Sequence, residues 1–248
     1  MSRRNNIIGS LLNPLYLTPA LWIDFSDAST ITLNGSTIAQ VNDKSGNGRH
    51  FVQGTASLQP ALITSFKNGH DVARFDGVND ELLLGSNTLL KNVSGATIYV
   101  VRKWAASPTS VQTMFKISTP SSAGRAQIQG GNVSGKNAIG GRTLDADSFV
   151  RVDSSSSVTT AWRIQTGVYD YANTDLFQYI NESLDGSTTS YQSGTATSNT
   201  DSASAVIGGA NGISYFNGDI GEVLVYHAAH SADQRQNVWN FLRTKWAI

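Results

Sequence analysis

From Leu21 onward, short runs of β-branched and aromatic residues alternate with clusters of Gly, Asn, Asp and Ser. That pattern predicts strands joined by tight turns, the layout of a sandwich or barrel. The clearest runs are ATIYVVRK at 96–103, TMFKIS at 113–118, AWRIQTGVYD at 161–170, LFQYIN at 176–181, SAVIGG at 204–209 and GEVLVYHA at 221–228. Within 161–170, Trp162, Ile164, Thr166 and Val168 share one face while Arg163, Gln165 and Tyr169 share the other. A period of two predicts a strand with one core face and one wet face. Asp185–Gly186, between two strand candidates, predicts a hairpin turn.

Two further regions depart from this pattern. At the C-terminus, Ser231 followed by Gln234 makes a capping box, and Val238, Phe241, Leu242 and Lys245 recur at helical spacing. One helix is expected there, lying against the sandwich by that stripe, with Trp239 and Trp246 as packing residues. Residues 1–18 form a separate arm, because Pro14 and Pro19 break any helix ahead of the domain at 19–248. Two readings of it stand side by side: a disordered terminus, or an anchoring peptide that orders on a larger assembly by burying Ile7, Ile8, Leu11, Leu12 and Tyr16. The Ser/Gly-rich segments 119–136 and 183–204 are read as loops or edge strands.

Composition sharpens the strand reading. The chain has 23 glycines among 248 residues and only 15% charged residues, against about 25% in an average domain, which excludes long Lys/Glu-laced surface helices. Lys plus Arg equals Asp plus Glu at 18 each, so no basic field marks a nucleic-acid partner. Cysteine is absent, which removes disulfides, thiolate zinc sites and Cys nucleophiles together. Ile7, Ile8, Leu11 and Leu12 are interrupted by Gly9, Ser10, Asn13 and Pro14, too broken a stretch for a signal-peptide core. No run approaches a membrane span, so a soluble protein with no membrane insertion is expected.

Enzymatic signatures are missing as well. The three glutamates, Glu81, Glu182 and Glu222, share no strand, whereas glycoside hydrolysis requires two carboxylates flanking the scissile bond. There is no Gly-x-Ser-x-Gly elbow, and His50, His70, His227 and His230 have no Asp-His signature around them. His227 and His230 sit three apart, but no third zinc ligand is near them in sequence. Nucleotide-binding glycine loops are also lacking.

Four segments then fall into a familiar order: LWIDFSDAST at 21–30, VNDKSGNGRHF at 41–51, ARFDGVNDELLL at 73–84, and FNGDIGEVLVYHAAHSADQRQNVWNFLRTKW at 216–246. Each has a physical basis of its own. Asp43, Ser45 and Asn47 bond their own backbone while Gly46 and Gly48 take positive φ, and Asp76, Gly77, Asn79 and Asp80 repeat that chemistry. Together they resemble the concanavalin A-like lectin/glucanase superfamily, specifically the laminin G-like domains of bacteriophage virion and bacterial surface proteins. The resemblance spans residues 19–248 and implies an all-β, two-sheet antiparallel jelly-roll sandwich with one C-terminal helix. It implies a non-enzymatic virion protein, a capsid decoration, head-fibre or tail component assembled in the host cytoplasm, that displays a lectin-like domain to host surface glycans. Its partners would be other virion proteins, through the arm, and further copies of itself. A stand-alone carbohydrate-binding module is the alternative, with a glycan-cleaving enzyme third. No cofactor is required; calcium is the one candidate, with Asp76, Asp80 and Asp219 as ligands and Asp24, Asp27 and Asp43 as secondary ones. Trp104, Tyr169, Tyr171, Tyr191 and Tyr215 are candidate sugar-stacking rings, with core packing as the plainer reading of most of them.

Overall fold

The computed structural model describes residues 13–118, 124–191 and 204–248. In chain order the strands are β1 (Leu21–Asp24), β2 (Ile31–Asn34), β3 (Thr37–Val41), β4 (Phe51–Val52), β5 (Ala61–Lys67) and β6 (His70–Asp76). There follow β7 (Leu82–Leu84), β8 (Gly95–Trp104), β9 (Gln112–Ser118), β10 (Gly124–Gly130), β11 (Asn137–Gly141) and β12 (Val150–Asp153). The last are β13 (Arg163–Asp170), β14 (Asp175–Ile180), β15 (Ser183–Thr188), β16 (Ser204–Ile207) and β17 (Asn217–Tyr226), before the helix α1 (Ala232–Trp246).

These strands pair into two antiparallel layers. One runs β5–β6–β17–β8–β13–β14–β15, with β1 completing the edge of β17 beyond β6. The other runs β2–β3–β4–β7–β16–β9–β10–β11–β12. Among the described residues a single pairing, Thr37 with Ala61, links the two. The expected jelly-roll sandwich with one C-terminal helix is therefore the observed fold.

Two apolar cores hold the layers. The larger lies between the sheets and includes Ile98, Val100, Ile220, Val223 and Val225 from the first sheet and Phe115, Ile117, Ile128 and Ile139 from the second. The smaller lies between the outer face of the first sheet and α1, where Tyr99, Val101, Ile164 and Leu224 meet Val238, Leu242 and Trp246. Ser231 accepts from the Gln234 backbone and the Gln234 side chain returns to the Ser231 N–H, the expected capping box. A β-bulge between Ile220 and Glu222 turns Glu222 to the helix side. Gly221 sits in that bulge because a Cβ there would lie 2.6 Å from the Trp246 ring.

Two expectations need correction. Both faces of β13 are buried, since α1 covers the Ile164 face and the polar face, with Arg163 and Gln165, turns inward between the sheets. The hairpin after β14 turns at Asn181–Glu182, both at positive φ, while Asp185 and Gly186 lie within β15. Asn181 accommodates that backbone and its side chain accepts from the Ile164 N–H at 2.9 Å, whereas the Asp185 carboxylate is drawn to Ser155 and Ser156.

Of the arm, Ile7, Ile8, Leu11 and Leu12 lie outside the described residues. Its end folds onto the domain: Pro14–Leu17 form a 3-10 turn whose Leu17 packs against the helix-side core. Tyr16 remains 74% exposed. No helix among the described residues is long and apolar enough to cross a membrane.

Candidate functional site

Register places one row of side chains across the outer face of the first sheet beyond the end of α1. Ala61 on β5 pairs with Arg74 on β6, Arg74 with Asp219 on β17, and Asp219 with Lys103 on β8. Strand alternation sends all four to the same face, so charges far apart in sequence become neighbours. Arg74 grips Asp219 through Nε to Oδ1 at 2.7 Å and Nη2 to Oδ2 at 3.3 Å, while Lys103 Nζ stands 3.8 Å from Oδ2. Opposing hydrogen-bonded charges raise the Arg74 pKa above its usual value, and the Asp219 bond dominates that shift.

An aromatic ring joins this row. Arg74 Cζ lies 4.7 Å and Lys103 Nζ 5.4 Å from the Phe66 ring centroid. Phe66 is 39% exposed and meets Trp162 edge-on at 6.4 Å. Beside them, Asp76 accepts from the backbone N–H groups of Val78 and Asn79, and Asp80 accepts from the Asp76 N–H at 2.9 Å. Arg74, Asp76, Asp80, Lys103, Asn217 and Asp219 line one open cleft of 490 Å³.

The structure thus brings the three calcium candidates, Asp76, Asp80 and Asp219, to one cleft, but their donor set does not fit a calcium ion. Two cations already hold Asp219, and burial pushes the Asp80 carboxyl up to about 6, against the opposing bond from the Asp76 N–H. Among the described residues no cluster of three or more His, Asp or Glu side chains is arranged to hold a metal. The secondary candidates are likewise engaged. Asp24 bonds Lys44 and Lys245, Asp27 bonds Lys44, and Asp43 caps the 43–49 turn through Ser45 and the Arg49 N–H.

Helix packing also assembles a carboxylate pair that spacing along the chain did not reveal. Lys245 Nζ bridges Asp24 Oδ1 at 2.7 Å and Glu222 Oε2 at 2.9 Å. Glu222 also accepts from the indole N–H of Trp22 at 2.6 Å and of Trp246 at 2.8 Å. Burial and then Asp24 raise the Glu222 pKa, whereas Lys245 and Lys44 outweigh burial at Asp24 and lower it. Both carboxylates are sealed beneath α1, so the pair anchors the helix and is shut off from any substrate. Of the other glutamates, Glu81 accepts from the Gly212 N–H and Glu182 from Arg235.

Histidines are accounted for similarly. His227 contacts the Leu89 carbonyl at 2.6 Å, and His230 meets the Tyr99 hydroxyl at 2.9 Å with its pKa pushed down to about 4 by burial and Arg235. Of the five candidate stacking rings, Trp104, Tyr169, Tyr171 and Tyr191 are fully buried and Tyr215 is half-buried. Phe66, Arg74 and Lys103 were missed. The available signal was alternation in ARFD and VRKW, which puts Arg74 and Lys103 opposite the core residues Phe75 and Trp104.

Comparison with known proteins agrees with this fold. The model of a family described as the concanavalin A-like lectin/glucanases superfamily matches residues 75–234. A heptameric SAP-like pentraxin from Limulus polyphemus is 15% identical, over 65% of this chain and 77% of that one, with a TM-score of 0.52. The binding domain of botulinum neurotoxin serotype D is 12% identical, over 93% of this chain and 52% of that one, at 0.64. The binding domain of botulinum neurotoxin DC, solved in complex with SialylT, is 12% identical over 92% and 52%, at 0.60. The chain spans about half the length of these neurotoxin domains. No curated protein matches it.

Proposed function

The chain belongs to the concanavalin A-like lectin/glucanases superfamily, and from that premise we propose that it is a non-enzymatic glycan-binding module carried on a bacteriophage virion. The observation that carries the binding reading is the open cleft beside Phe66. A partly exposed ring gives a sugar face something to stack on, and the Arg74, Lys103, Asp76 and Asn217 side chains offer fixed donors and acceptors for hydroxyls. Shared fold with the neurotoxin domain solved with SialylT supports the same direction. Fold alone hosts many activities, so the site carries the weight. The sealed state of the Asp24–Glu222 pair supports binding over hydrolysis.

In this reading the jelly roll faces outward as a decoration, head-fibre or tail-associated protein and touches host surface glycans. The arm attaches it to other virion proteins through Ile7, Ile8, Leu11, Leu12 and Tyr16, and the exposure of Tyr16 supports that role. Calcium is not needed, given the cations already on Asp219. The test is a glycan array of bacterial surface polysaccharides probed with the full chain, with calcium and with EDTA. Hits that survive EDTA and weaken at least tenfold in Phe66→Ala or Asn217→Ala support the reading, and an array without hits overturns it. For the virion role, particles assembled with residues 2–12 deleted should lack the protein; normal incorporation would remove the anchoring assignment.

A further inference from the structure

The sandwich contains a second recess, at the end of the interior, that the outer cleft does not use. Arg102 on β8 points between the sheets, and only 1% of it is exposed. Its Nη2 donates to Asn137 Oδ1 at 2.8 Å and its Nε to Gln165 Oε1 at 3.3 Å, both neutral acceptors. Among the described residues Nη1 has no hydrogen-bond partner. Asp185, the acid whose field reaches Arg102, is already taken. Its carboxylate accepts from Ser155 Oγ at 2.7 Å, the Ser156 N–H at 2.9 Å and Ser156 Oγ at 2.7 Å. A buried guanidinium with an unmet donor and no carboxylate partner is unfavourable unless something supplies the missing acceptor.

The surroundings say what would. Arg102 and Asn137 lie at the floor of a 170 Å³ recess that Arg163, Ile180, Ser156, Ser157 and Thr159 complete. The three hydroxyl residues are exposed and form its mouth, on the segment between β12 and β13. Arg163 stands opposite Arg102 in the β8–β13 register, so two like charges share one wall, which burial alone makes unfavourable and an anion between them relieves. Planar guanidinium forks match a carboxylate bidentately. Ser and Thr hydroxyls suit ring hydroxyls, and Ile180 offers an apolar wall for a ring face. Such a recess is smaller than the 300–1,000 Å³ typical of a whole-ligand pocket, so it takes one terminal residue of a chain.

We propose that this recess binds the carboxylate of a terminal acidic sugar, a uronic acid in its simplest form, through Arg102 and Arg163. It shares no lining residue with the outer cleft, so the two sites stand or fall separately. The experiment is calorimetric titration of the full chain with D-glucuronate, D-glucose, acetate and sulfate, each at matched ionic strength. Glucuronate is expected to bind, acetate at least tenfold more weakly, and glucose and sulfate not measurably. Arg102→Met should abolish glucuronate binding, and Arg163→Gln, which alters only the half-buried wall, should weaken it at least tenfold if the buried variant does not fold. Phe66→Ala and Asn217→Ala should leave it unchanged. Equal binding of glucose, equal binding of sulfate, or retention of glucuronate binding by the folded Arg variants overturns the proposal.

Discussion

Two fully buried charges on neighbouring strands of one sheet are treated in opposite ways. Glu222, facing α1, is met by two indole N–H groups and Lys245, so every approach to it is a satisfied bond. Arg102, facing the sheet interior, is met by two amide oxygens and, among the described residues, keeps one terminal nitrogen unpartnered. The first charge ties the helix to the sandwich and has no room for anything else. The second lines a recess with a polar mouth, an arrangement that stabilises the free protein poorly and a bound anion well. A buried donor that the fold leaves unmet calls for an acceptor from outside the chain, an ordered water or a ligand, and at Arg102 a recess with a polar mouth adjoins it.

Variants should separate these roles, and the largest effect belongs to the satisfied charge. Glu222→Ala strands two indoles beneath the helix and leaves Lys245 with Asp24 alone, and urea denaturation should show a loss of about 3–5 kcal/mol. A loss below about 1 kcal/mol would mean that the network does not hold α1. Next comes pH. Asp80 titrates at about 6 in the fold, above its unfolded value, so the folded state binds the extra proton between those two values. Its contribution is therefore present at low pH and lost as pH rises through about 6. Asp80→Asn keeps an acceptor for the Asp76 N–H, and its stability relative to wild type should improve by on the order of 1–3 kcal/mol from pH 4 to pH 7. A flat difference would contradict that assignment.

Ser231→Ala removes the cap of α1 and should lower stability by about 1 kcal/mol, read as a lower urea midpoint. The smallest loss is expected at the unsatisfied charge. Arg102→Met removes a desolvated cation while Trp104 still donates to Asn137, so stability should hold or rise by up to about 2 kcal/mol. A loss of the size predicted for Glu222→Ala would show that Arg102 is structural after all.

Much of the fold was legible in the chain because it rests on local signals. The capping box at Ser231 and Gln234, the Asp43–Gly48 turn and the apolar runs of β8 and β17 each follow from residues a few positions apart. Long-range register was not legible, and it makes both recesses. Arg74, Asp219 and Lys103 become one row only once β6, β17 and β8 are aligned. Alternation in β13 was visible, but polarity was read as exposure, and Gln165 and Arg163 instead turn into the interior. The calcium candidates illustrate the same limit, since turn chemistry marks Asp76 and Asp80, whereas Asp219 and the arginine beside it reach that turn only through the β6–β17 register.

Side-chain arginine NMR during a glucuronate titration tests the contrast most directly. The account predicts that the Arg102 Nη resonances move and saturate, Arg163 follows, and Arg74 stays in place. Shifts confined to Arg74, or an Arg102 signal unmoved at saturation, would contradict it.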